Sequence, residues 1–217
     1  QHRVGGRQLC ETPTIGAVYH SLMANDWLAG RRTEVAAEAI LDAADRLFAE
    51  QDAATVGMLE IARAAGCSRA TLYRYYENRD VLHLAYVHRE AFRVFAHVGE
   101  QIADVTDPRT RLLDGVAIAL RSVRESPALS SWFVATQRPI GGEVAAQSDV
   151  ITGLVAAFLS ASWPELETEA AHRRANWLVR MLVSLLMFPG ADEDDERAML
   201  DAFVVPQLVP TEGQASQ

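Results

Sequence analysis

The sequence predicts an all-α chain of about nine helices, on three observations. Apolar residues recur with a 3.6-residue period along most of the length. No stretch alternates apolar and polar residues as a strand does, and no segment repeats. Helix-opening residues (Thr33, Ser68, Asn78 and the pair Asp107-Pro108) divide the chain into helices of ordinary length.

Taken in order, Ile40, Leu41, Ala44, Leu47 and Phe48 form one stripe, so a first helix is expected over roughly 33–50, with Thr33 as its cap. Two short helices should follow, roughly 57–65 and 69–75, parted at Gly66 and capped by Ser68. Asn78 opens a long helix to about 103, with Leu82, Ala85, Tyr86, Phe92 and Phe95 on its apolar side. Pro108 stands at the first position of a helix to about 126. Pro127 opens a short helix containing Trp132 and Phe133, and "RPIGG" at 138–142 reads as a break. Helices over about 143–161, 164–187 and 193–205 complete the chain.

Composition narrows the function classes. The 217 residues are 49% hydrophobic, enough for a core, with a formal charge of −9. That charge argues against a protein that coats nucleic acid over its whole surface, and says little of a local patch. All 20 basic residues are arginine. Most of the acidic excess falls after residue 93. Two cysteines, far apart, suit a reducing cytoplasm and no disulfide framework. No apolar run approaches a membrane span, so no membrane partner is expected. Residues 1–30 read as a mobile extension, with Met23 as a candidate start, and 211–217 as a tail.

The stretch from Ile61 to Tyr76 holds three arginines, three tyrosines and no acid. Ala62 and Ala65 are small, Gly66 suits a tight turn, and Ser68 offers its hydroxyl to the next helix: a helix, a turn, a helix. In the second helix Leu72 and Tyr76, four apart, should face inward. Arg69, Ala70 and Tyr73 should then face outward, with Thr71 at the exposed N-terminal end. That face suits DNA. Hydroxyls donate to phosphate oxygens, arginine reads guanine or binds phosphate, and a small alanine lets the helix settle into the major groove.

"ILDAADRLFAE" followed by "IARAAGCSRATLYRYYENRDVL" resembles the N-terminal DNA-binding domain of the TetR family of bacterial transcriptional regulators, over roughly residues 33–82. The resemblance implies that Thr71, Tyr73, Tyr75 and Arg79 contact phosphates and that Arg69 and Ala70 lie at base edges; Thr33 is counted with them. It also implies a homodimer, a palindromic double-stranded DNA operator and a small-molecule effector. Two positions depart from the pattern: Gly57 stands where a Thr or Ser usually caps the second helix, and Leu59 where a polar or basic side chain is common. With the near-neutral charge of residues 1–93, they support an alternative: a helical interaction protein of the same fold that has lost DNA binding.

The implied domains are 31–82 for DNA binding and 83–210 for effector binding and dimerisation. Excess apolar surface assigns the dimer interface to Leu178, Met181, Leu182, Leu185 and Leu186, with Met199, Leu200 and Phe203 from the last helix. Bulky residues of the central helices suggest a pocket: Phe92, Phe95, Trp132, Phe133, Phe158 and Trp177. Gln137, Thr152 and Asn176 would supply its polar groups. The competing reading is that these aromatics fill the core. A mostly apolar lining points to a hydrophobic effector.

Histidines 83, 88, 97 and 172 have no metal-ligand spacing, and the five acids at 192–196 complement a helix dipole without needing a cation. No nucleophile elbow, phosphate loop or cofactor motif is present, so neither an enzyme nor a cofactor is expected. The expected location is the bacterial cytoplasm.

Overall fold

The computed structural model describes residues 29–133 and 140–208, without the side chains of residues 29–33, 140 and 146. The described residues are helical throughout, with no strand. The chain divides into two units between Ala36 and Ala37. The described part of the first is only the opening turns of α1, and the contacts below belong to the second.

Helix α1 spans Ala29–Glu50, α2 Met58–Ala64 and α3 Arg69–Tyr75. Because α1 begins at Ala29, Thr33 lies inside it and is no cap. Arg31, Arg32 and Glu34 around it favour helix and offset Gly30 in the first turn. Gly57 precedes α2 with no side-chain bond to the helix, whereas Ser68 accepts from the Thr71 N–H and starts α3. Gly66 turns between them at φ 67°, a left-handed conformation that glycine adopts at no steric cost.

Asn78 caps the 23-residue α4, Arg79–Gln101, by accepting from the Val81 N–H. Asp107 caps α5, Pro108–Glu125, through the Thr110 N–H. Helix α6 is one turn, Pro127–Ser130, so Trp132 and Phe133 fall in the turn after it and not within it. Helix α7, Ile140–Gln147, begins inside the expected break and takes in both its glycines. Gly141 is there for close approach: a Cβ on it would lie 2.8 Å from the Cβ of Trp132. The single helix expected over 143–161 is two, because Ser148 ends α7 and caps α8, Asp149–Ser162.

Helix α9 covers Thr168–Met187, starting four residues after Pro164. Helix α10, Glu193–Met199, passes into a π-helical stretch, Leu200–Val204, and a last turn, α11, Val205–Leu208. Pro206 has no N–H to give to the carbonyl four residues back. Widening to the Val205 N–H→Leu200 carbonyl bond accommodates it.

Two apolar clusters form. One joins α1–α3 to the start of α4: Ile40, Phe48, Ile61, Leu72, Leu82 and Tyr86 are all at most 2% exposed. The other joins the end of α4 to α5, α8, α9 and the C-terminal turns, around Ile102, Leu112, Leu159, Leu178 and Leu208. Helix α4 runs from one cluster to the other. Trp132, far along the chain, is buried in the first.

Candidate nucleic-acid interface and effector cavity

Helix α3 divides its residues as amphipathic spacing requires. Leu72 is fully buried and Tyr76, just past the end, is 7% exposed. The Tyr76 hydroxyl donates to the Ala37 carbonyl at 3.2 Å, and burial, with Glu38 nearby, pushes its pKa up to about 12. Arg69, Ala70, Tyr73 and Arg74 are exposed. The Arg69 guanidinium lies 5.3 Å above the Tyr73 ring and that of Arg74 5.3 Å above the Tyr75 ring. Each arginine is thereby held on the outer face without a carboxylate to neutralise it: among the described residues neither enters a salt bridge.

Thr71 is half-buried, its Oγ1 2.9 Å from the Ser68 Oγ at the open end of α3. Tyr75 is also half-buried and packs against the head's core. Arg79 is exposed but anchored, donating to the Ala54 carbonyl at 2.9 Å. The side chain of Thr33 lies outside the described residues. Arg74 was not singled out by the sequence pattern, although its place on the same short helix was a sufficient signal. Leu59 is 46% exposed at the start of α2.

A cavity of about 120 Å³ opens between α4, α5, α7, α8, α9 and the turn after α6. Its walls are almost wholly carbon, including Val94, Phe95, Trp132, Phe133, Leu182 and Leu186. Of the residues assigned to a pocket from sequence, Phe95, Trp132 and Phe133 line it. The others do not. Thr152 and Phe158 are buried behind it, Phe158 against Gly115, and Trp177 packs on the C-terminal cluster. Asn176 is exposed and accepts from Arg180. Phe92 is half-buried outside the lining, and Gln137 lies outside the described residues. Helical phase explains the misses: α4 faces the cavity with Val87, Glu90, Ala91, Val94 and Phe95, a stripe that passes Phe92 by.

The assigned dimer residues divide similarly. Leu178 and Leu200 are 2% and 4% exposed in their own core, and Leu182 and Leu186 line the cavity, so these four face inward. Met181 and Leu185 are half-buried on the C-terminal cluster. Met199 and Phe203 stand out at 37% and 72%, joined by Phe188 at 70%, which the sequence reading passed over because it follows the helix end.

Trp132 belongs to both regions. Its indole is 2% exposed and lies edge-on to Phe48 at 5.3 Å and to His83 at 4.9 Å, and stacked with Tyr86 at 5.5 Å, while the same residue forms cavity wall. Burial among these rings lowers the His83 pKa to about 4, with a smaller effect of the same sign from Arg79. His83 is therefore neutral near pH 7. Among the described residues, no group of His, Cys, Asp and Glu could hold a metal ion, and no helix is long and apolar enough to cross a membrane.

Comparison with known proteins agrees with this geometry. The family model of bacterial regulatory proteins, tetR family, matches residues 40–86, which cover the second half of α1, all of α2 and α3 and the start of α4. An uncharacterized HTH-type transcriptional regulator of Mycobacterium tuberculosis is 56% identical over 190 residues, covering 88% of this chain and 94% of its own. Among solved structures, the TetR family repressor AlkX of a Dietzia strain, implicated in biodegradation of n-alkanes, is 26% identical, with a TM-score of 0.62 over 78% of this chain and 93% of its own. RolR, solved with resorcinol, shares the fold at 16% identity, with a TM-score of 0.65 over 86% of this chain and 93% of its own. With its helix-turn-helix head and this relative matched over nearly its whole length, the chain belongs to the TetR family of bacterial transcriptional regulators.

Proposed function

We propose that the chain is a ligand-responsive repressor. Residues 31–82 form the DNA-binding head and 83–210 the effector-binding and dimerising body. A homodimer sets two α3 helices into successive major grooves of a palindromic operator in the bacterial cytoplasm. Arg69 and Ala70 meet base edges, while Thr71, Tyr73, Tyr75 and Arg79 meet phosphates, with Arg74 beside them. A small hydrophobic effector enters the carbon-lined cavity and releases the operator. The protein catalyses no reaction and carries no cofactor.

The observation that carries this reading is Trp132, the residue shared by the cavity wall and the core of the head. A molecule that fills the cavity presses on a ring packed against Phe48 of α1 and Tyr86 of α4. Release follows only if the effector favours the arrangement that cannot bind DNA. AlkX, whose known context is n-alkane degradation, is in keeping with a hydrophobic effector.

The test is fluorescence anisotropy with the DNA upstream of the chain's own gene. Arg69→Ala should weaken binding by about 1–3 kcal/mol, and the affinity of the parent should fall steeply with salt. Parent-like binding by both Arg69→Ala and Tyr73→Phe would show that the reading face is elsewhere. A parent with no salt-dependent affinity would favour the interaction protein that has lost DNA binding.

A further inference from the structure

The cavity-facing stripe of α4 holds one residue that an apolar wall does not need. Val87, Ala91, Val94 and Phe95 are hydrophobic, and Glu90 sits among them, 9% exposed. Among the described residues it is the only ionisable side chain in the lining. Burying a carboxylate is costly unless its oxygens are bonded. One oxygen is well served: Oε1 accepts from Arg89 Nε at 2.8 Å and from Arg93 Nη1 at 2.9 Å. The other, Oε2, accepts no hydrogen bond among the described residues, yet it is not sealed in as a fully buried unpaired atom. Neither arginine lines the cavity.

From this arrangement we infer that Glu90 is the polar anchor of the effector site, and that the effector is a compact hydrocarbon bearing a hydroxyl, which donates to Glu90 Oε2. The inference rests on the cavity being an effector site. Size sets the body of the ligand: a dry engineered cavity of roughly 150 Å³ holds benzene, and this one is about 120 Å³. Charge sets the head. A ligand carboxylate would meet the Glu90 carboxylate, and among the described residues no cation lines the wall. A hydroxyl gains a charge-assisted bond without bringing a charge of its own to be desolvated.

The anchor also has a line to the head. Arg89, which shares Glu90, donates to Asp42 at 2.8 Å, to Glu38 at 3.2 Å and to the Leu41 carbonyl at 3.3 Å, all on α1. A ligand bonded to Oε2 pulls on the carboxylate that orients this arginine.

The test uses an isosteric pair, p-cresol and p-xylene, and the larger anion p-toluate, titrated calorimetrically into the full chain. An unpaired buried hydroxyl weakens binding about tenfold relative to a methyl. The expected result is instead p-cresol at least as tight as p-xylene, p-toluate at least tenfold weaker than both, and p-cresol losing about tenfold relative to p-xylene in Glu90→Leu. Ala91→Leu, which narrows the cavity, should weaken p-cresol and p-xylene together. A tenfold weaker p-cresol in the parent, or p-toluate as tight as p-cresol, overturns the anchor while leaving the cavity as a site; neither result depends on Glu90→Leu folding. If p-cresol and p-xylene both fail to bind, the effector-cavity reading fails, and the anchor with it.

Discussion

Glu196 does several jobs with one side chain. It is 4% exposed, takes both arms of the Arg124 guanidinium at 2.7 and 2.8 Å, and accepts the Gly190 N–H at 2.8 Å. The Arg124 hydrogen bonds hold its carboxyl below the usual range. Of the five acids at 192–196, Asp192 caps α10, Glu193 pairs with Arg121, and Asp195 accepts from the Ala191 N–H, so the run braces α10 against α5 as well as complementing a dipole. Glu196→Ala strands Arg124 and the Gly190 N–H and should cost about 3 kcal/mol, read from denaturant melts. His83 supplies the opposite case. Its folded pKa, about 4, is below the unfolded 6.5, so the unfolded chain takes up the proton first. The stability it contributes is complete above about pH 6.5 and falls as the pH drops toward 4, by roughly 3 kcal/mol in all. Below that window Glu193, Glu196 and Asp201, each held down first by its arginine bond, lose their own contribution as they protonate. His83→Leu should narrow the gap between melting temperatures at pH 7.5 and pH 5; an unchanged gap would assign the loss to other groups.

At the scale of the element, α3 is seven residues long and cannot persist unaided. Its stability comes from Ser68 at one end and from Leu72 and Tyr76 in the core. Ser68→Ala should cost about 1 kcal/mol and fray the first turn, which hydrogen exchange at Thr71 would register. Gly141→Ala forces α7 away from Trp132, whose carbonyl accepts the Gly141 N–H at 3.1 Å. The expected loss is about 1–3 kcal/mol in a thermal melt. These two helices mark what could be read from sequence. The head was legible because its signals are local: Ser68 and Asn78 each act within three residues, as Asp107 does for α5, and Leu72 and Tyr76 are set by spacing. The cavity was not. Glycines 141 and 142 look like a break, and only the distant Trp132 shows why Gly141 is needed. Ser148 was passed over as a cap between two apolar stretches, where Gln147, Ser148 and Asp149 read as the polar face of one helix. Leu182 and Leu186 share an apolar stripe, and sequence alone cannot say whether such a stripe meets a cavity, a core or another chain. Glu90 carried a signal, an acid on an apolar stripe, that went unused.

For the molecule as a whole, the C-terminal elements leave several large apolar side chains exposed. Phe188 and Phe203 are about as exposed as surface lysines usually are, though burying one such side chain is worth about 1.5–3 kcal/mol. If the homodimer uses this surface, Phe203→Asp should shift the chain toward monomer in sedimentation and weaken operator binding with it; an unshifted dimer would move the interface elsewhere. The Trp132 nest has a further use, in optics. Its indole sits within ring-contact distance of Phe48, His83 and Tyr86 and also forms cavity wall. With Trp27, Trp163 and Trp177 replaced by Phe, the remaining emission comes from one ring between the cavity and the core of the head. Its wavelength and lifetime would then record, without any attached label, each arrival in the cavity and each protonation of His83.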